Sequence, residues 1–319
     1  MDAMPIEFID CVVTILDQFE SLTNLNNFKW RATAQLHSER RKEYTLTIKA
    51  VGNEFKCMMA NRGVVQRNGS YALVPANSDL FNKRYTRIYS LRLLEDRHDL
   101  AKELKRKKCP LIKENVLQKS FLPLVLKHFV RRNNVLNLAS SEFDLQERIL
   151  KLLHRKVYFT NLELEHSCNF AETFLTDQLA NNVDLRTVTL QGAWTNAVMN
   201  PLKDFIVQKS KSQAIIVNVL QTEIKFSFEF FEDFMKNWRC NALNRIELNA
   251  KIDFEFADFR KVLKEKSKGV FHLIDVEKKK VINLIENECR EIDLMTLKCN
   301  CEEDGKFNCH MNTILGLNH

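Results

Sequence analysis

The second half of the chain repeats one apolar spacing, and that repetition restricts its possible architectures more than any other feature. The pattern apolar-x-x-apolar-x-apolar occurs at Phe159/Leu162/Leu164, Leu185/Val188/Leu190, Ala214/Val217/Val219, Leu243/Ile246/Leu248 and Phe271/Ile274/Val276. Successive copies begin 26, 29, 29 and 28 residues apart. Between them lie Phe170–Leu179, Met199–Gln208, Phe228–Trp238 and Phe254–Leu263, each with apolar residues at three- and four-residue steps, as an amphipathic helix requires. Strand–helix–strand units of this length demand crossover connections, so the strands are expected to be parallel.

The fold class expected is therefore α/β. The period sits at the upper end of the ~20–29 residues of leucine-rich repeats, in which a short strand is backed by an outer helix. The copies lack the asparagine or cysteine that normally follows the third apolar position and bonds the turn, so an α/β domain that alternates without true repetition is the other reading. In a solenoid the variable positions of each strand point to the concave face: Thr160, Asn161 and Glu163, then Arg186, Thr187 and Thr189, then Asn244, Arg245 and Glu247. A polar surface of this kind suits a protein or peptide, and Thr160, Glu163, Arg186, Thr189, Arg245 and Glu247 are the expected target contacts.

The first 43 residues read differently. Ile6, Phe8, Ile9, Val12, Val13, Ile15, Leu16 and Phe19 make an apolar helical stripe with Pro5 in its first turn. Leu22, Leu25, Phe28 and Trp30 form a second short series before the charged stretch Glu39–Glu43. Tyr44–Ala50 then alternates like a half-buried strand, and strand-like pieces at Phe55–Met59, Ser70–Val74 and Arg87–Leu93 suggest a small sheet. From Asp99 to Arg132 the pattern is helical, broken by Pro110 and Pro123. The expected organisation is a helical module over 1–43, a mixed connecting region over 44–132, a repeat domain over 133–298 and a mobile tail over 299–319.

Composition narrows the function. With 319 residues, 45% of them hydrophobic, the chain can bury a large core, while seven glycines leave little material for phosphate-cradling loops. No apolar run is long enough to span a membrane, the start is acidic, and the nine cysteines are an odd, scattered set, so reduced thiols and a cytoplasmic or nuclear location are expected. The net charge of +7 is spread over short runs, so nucleic acid is not indicated. The densest run, Lys102–Lys108, reads as a solvated helix face, with a nuclear import signal or phosphate patch as the alternative. Cys299, Cys301, Cys309 and His310 are zinc-ligand types, but Cys-x-Cys and an adjacent Cys-His pair do not match a usual knuckle, and no metal or cofactor is expected. No nucleophile elbow, His-Glu-x-x-His, P-loop or dinucleotide fingerprint occurs, which leaves an enzyme the least favoured class. Trp194 and Trp238 are either partner anchors or helix packing, and packing is favoured for Trp238.

The N-terminal segment resembles an F-box, the helical motif that docks onto the Skp-type adaptor of cullin ubiquitin ligases. Met4-Pro5-Ile6-Glu7-Phe8-Ile9 stands where that motif has its leucine-proline opening; Val12, Val13 and Leu16 continue the first helix, Leu22 and Leu25 match the second, and Trp30 with Leu36 match the ending. It departs from the motif in the Asp17–Glu20 turn and at Asn26-Asn27. The whole chain looks like the nematode F-box-like families, with Phe234-Met235-Lys236-Asn237-Trp238 and Leu243–Leu248 similar to their diverged F-box-associated region. The resemblance implies a non-catalytic substrate receptor that docks the adaptor through Pro5, Phe8, Ile9, Val12, Leu16, Leu22, Leu25 and Trp30 and holds a target protein on the repeats. A free-standing repeat scaffold capped by its N-terminal helices is the alternative.

Overall fold

The computed structural model describes residues 4–16, 20–65, 71–76, 85–93, 110–130, 133–138, 143–240, 245–267, 270–275, 280–286 and 291–298. Two compact units are distinguished, Met1–Gln178 and Leu179–His319. The division falls inside the 133–298 block that the sequence marks as one domain. Both units are α/β.

The first unit opens with two helices, α1 (Ile6–Ile15) and α2 (Phe28–Arg40), joined through a 3-10 turn at Glu20–Asn24. Four strands, β1 (Lys42–Val51), β2 (Glu54–Val65), β3 (Tyr71–Pro75) and β4 (Thr86–Leu93), follow, then β5 (Leu111–Lys113), β6 (Val135–Leu138) and β7 (Asn161–His166). The strand order is β7-β6-β4-β1-β2-β3, with β5 also on β2. β1, β4, β6 and β7 run parallel, and β2 turns back antiparallel on β1 through Gly52, whose φ of +60° suits a glycine turn.

β1 is not half-buried. Tyr44, Leu46 and Ile48 are buried on one face, but so are Thr47 and Lys49 on the other, because an interior strand is covered on both sides. The helical pattern expected over Asp99–Arg132 falls on described residues only at 110–130. Residues 94–109, including the Lys102–Lys108 run, lie outside the described residues, and Leu111–Lys113 is a strand. The helical stretch that follows changes from a π turn at Leu117–Phe121 to α-helix at Leu122–Lys127. Pro123, which lacks a donor, sits in the first turn of that α-helix.

In the second unit β8 (Thr187–Gly192), β9 (Ile215–Thr222) and β11 (Ile246–Ile252) are parallel, in the order β8-β9-β11, and the short β10 (Lys225–Phe226) runs parallel to β11. Helices Met199–Lys209 and Phe228–Cys240 connect them, as the periodicity requires. The inward positions are as the spacing predicts: Val188, Leu190, Val217, Val219, Ile246 and Leu248 are all buried. Ala214, by contrast, is exposed.

The fifth copy departs from the expectation. Phe271/Ile274 lies on β13 (Val270–Asp275), which is antiparallel to both β12 (Lys264–Ser267) and β14 (Lys280–Glu286); β15 (Glu291–Lys298) then pairs antiparallel with β14 and β11. Val276 lies outside the described residues. Connections of a few residues can close hairpins but cannot carry a crossover, so these strands must alternate in direction. The expected helix over Phe254–Leu263 is a 3-10 helix at Phe256–Lys261, in which Phe256 and Phe259 share one face at a period of three. They join Phe226, Phe228, Phe230, Phe231, Phe254 and Phe271 in an aromatic core with mainly edge-to-face contacts.

The helical module and the polar rows of the sheets

α1 and α2 lie side by side and parallel, as three pairs of contacts along their length establish. Lys29 Nζ reaches the Met4 carbonyl at 3.4 Å, His37 Nε2 meets Asp10 Oδ1 at 2.9 Å, and Arg41 reaches the carbonyls of Leu16 and Val13 at 2.8 and 3.0 Å. Asn27 caps α2 by accepting the Trp30 N–H. Ile9, Val13 and Ala34 form a small buried core, with Met4, Leu16, Leu22 and Trp30 packed against it; every member comes from residues 4–34.

The apolar residues of α1 occupy too much of its circumference to face one neighbour. Ile9 and Val13, four apart, turn toward α2 and are fully buried. Ile6 and Phe8 are each 50% exposed, and Leu25 and Phe28 remain 38% and 71% exposed. Of the residues expected to meet an adaptor, Pro5, Phe8 and Leu25 are therefore on the surface. Val12, Leu16, Leu22 and Trp30 are half-buried, the last three against the module's own core. Ile9 is corrected: a side chain with no exposed surface is a core residue and offers nothing to a partner. Ile6 and Phe28, in turn, are surface residues that the motif comparison did not single out.

The C-terminal end of α1 is held by two arginines. Besides Arg41 on the Val13 and Leu16 carbonyls, Arg87 of β4 donates to the Thr14 carbonyl and to that of Thr86, both at 2.8 Å. Carbonyls at a helix C-terminus lack intrahelical donors and carry the negative end of the helix dipole, so guanidinium groups suit them. His37 is fully buried, and its ring stands edge-on to Tyr85 at 5.0 Å. Burial first, then the Arg41 and Arg87 cations, hold its pKa down at about 4. A carboxylate cannot donate, so the neutral ring donates Nε2–H to Asp10.

Each unit carries polar side chains in register on its parallel strands. In the first, Asn137 of β6 donates to the Glu163 carboxylate of β7, its register partner. In the second, Asn218 of β9 donates to Thr189 Oγ1 of β8 at 3.3 Å and accepts from Asn249 Nδ2 of β11 at 2.5 Å. All five side chains are half-buried. Arg186 and Arg245 are exposed, and Arg245, just ahead of β11, pairs with Glu247 on that strand. Thr160 is corrected: it is buried, its hydroxyl accepts the Asn133 N–H at 2.9 Å, and it belongs to the turn rather than to an open face. Asn244 lies outside the described residues.

Asn137, Asn218 and Asn249 were absent from the sequence-derived set, as was Asn134. Asn218 could have been found by asking which polar residue stands between the second and third apolar positions of each copy; Asn249 directly follows the third position of the fourth copy, and Asn134 and Asn137 lie outside the five copies. Asn134 is buried ahead of β6; its amide donates to the carbonyls of Val130 and Tyr158, and its oxygen accepts the Thr160 N–H. This is a turn-bonding asparagine, at the start of a parallel strand whose first apolar position is polar. That polarity sets β6 apart from the five copies of the spacing.

Trp194 and Trp238 are buried, so both are core residues rather than anchors. His128 Nδ1 faces the Thr86 carbonyl, and His154 stacks edge-on against Phe170. Among the described residues no group of three His, Cys, Asp or Glu side chains is placed to hold a metal ion, and no helix is long and apolar enough to cross a membrane. Cys299–His310 lie outside the described residues. Comparison with protein-family models, with curated proteins and with solved structures gave no match.

Proposed function

We propose that this chain is the substrate-recognition subunit of an SCF-type ubiquitin ligase, with a Skp-type adaptor bound by the N-terminal helices and a target protein held on leucine-rich-repeat-like strands. The observation that carries this reading is the distribution of exposed apolar side chains. Ile6, Phe8, Leu25 and Phe28 stay exposed within 23 residues, although the same segment has already formed its own core. A folded helical pair that leaves large apolar groups in water offers a partner the surface from which association gains most. The polar rows Asn137/Glu163 and Thr189/Asn218/Asn249 supply directional donors and acceptors rather than a nucleophile and base, which suits recognition without chemistry. Held rigidly, the module would bring a target near a ubiquitin-carrying enzyme, an effect of proximity.

The attachment of α1 to β4 through Arg87 favours the second reading, in which the helices only cap a free-standing scaffold. Adaptor pull-down by the wild-type chain and by a Phe8→Glu/Phe28→Glu double variant separates the two. Both positions are at least half exposed, so the variant is expected to fold. Binding by wild type and at least a tenfold loss in the variant supports docking. Equal binding by both, or none by the folded wild type, overturns it.

A further inference from the structure

We infer that α1 is a releasable element, fastened by a buried polar latch of His37, Asp10, Arg41 and Arg87, and that mild acid opens it. The latch stands whether or not the helices dock an adaptor; its bearing on Ile6 and Phe8, which α1 carries, rests on that reading.

The apolar attachment of α1 is small. Ile9 and Val13 are its fully buried members of the module core, with Met4 and Leu16 only partly buried there. Polar contacts fasten the helix along one side: Asp10 to His37, the Val13 and Leu16 carbonyls to Arg41, and the Thr14 carbonyl to Arg87. A free helix of ten residues is not stable in water, so releasing these contacts melts α1 rather than moving it intact.

His37 makes the latch sensitive to protons. The charged and titratable groups facing it are Asp10 from α1, Arg41 from the end of α2, Arg87 from β4 and the Tyr85 phenol beside that strand, over which the Arg40 guanidinium also lies at 6.0 Å. Asp10 favours an imidazolium, but burial and the two arginines outweigh it. With α1 in place the ring takes a proton only near pH 4, whereas once released it returns to about 6.5. The open form therefore binds the proton more readily, and the closed form loses ground as pH falls below 6.5. Between pH 7 and pH 5 those two values raise the open population about twentyfold.

Amide hydrogen exchange on the full chain, with rates normalised to unstructured peptide at each pH, tests this. Residues 6–16 are expected to lose protection about twentyfold from pH 7 to pH 5 while β6 and β7 keep theirs, and His37→Gln, which still donates to Asp10 but cannot titrate, is expected to remove the difference. An unchanged wild-type α1, or an equal loss in His37→Gln, overturns the latch. If His37→Gln leaves α1 unprotected at both values, histidine carbon NMR on the wild type decides. A His37 ring still neutral at pH 5 supports the latch, and one that titrates near 6.5 refutes it.

Discussion

Replacing Asn134 with leucine is expected to destabilise the first unit by about 3 kcal/mol. The two side chains share one branched outline, so no cavity is left; the hydrogen bonding is removed, and the bulkier methyl groups add some crowding at this buried site. Three bonds are lost: to the Val130 carbonyl at 2.9 Å, to the Tyr158 carbonyl at 3.1 Å and from the Thr160 N–H at 2.7 Å. Tyr158 is exposed, so water can replace its partner, but the bonds to Val130 and Thr160 are buried. Each buried group left unpaired costs about 1–3 kcal/mol, and burying leucine in place of an amide returns about 1 kcal/mol. In a unit of this size the net loss lowers the thermal midpoint by roughly 6–12 °C. Urea denaturation followed by circular dichroism measures it against wild type. A change below about 1 kcal/mol would show that the Asn134 bonds do not join the strand β6 to the turn before β7, and the argument from buried polar satisfaction would be wrong.

Phe8→Ala is expected to change stability by less than about 0.5 kcal/mol, whereas Ile9→Ala, one residue away but fully buried, costs about 2 kcal/mol or more and strips protection from α1 in hydrogen exchange. Equal effects would show that α1 is rotated from the orientation described. Trp238→Ala removes a buried ring from the helix Phe228–Cys240 and is expected to cost about 3–5 kcal/mol in denaturant. Asn218→Ala breaks two half-buried side-chain bonds that water can replace, so its cost stays below about 1 kcal/mol; a larger loss would show that the polar row is structural rather than available to a partner.

The apolar spacing was enough to specify α/β, the parallel strands β7, β8, β9 and β11, and the helices between residues 169 and 240, because alternation of a three-residue strand code with 3.6-residue periodicity is a local property. It also marked the N-terminal helices as a distinct element. The spacing did not distinguish direction: Phe271/Ile274 satisfies it on an antiparallel strand, since pattern reports which face is buried and connection length decides orientation. Nor did it separate Phe8 from Ile9. Both are apolar and adjacent on one helix, and only the position of α2 determines which is covered. Arg41 and Arg87 were not legible as holders of a helix end, because their acceptors on α1 are backbone carbonyls far away in sequence, which carry no residue signature. The buried His37–Asp10 pair, 27 residues apart, has the same cause. Local periodicity is written in the chain, but burial of a polar group is settled by what the fold places beside it.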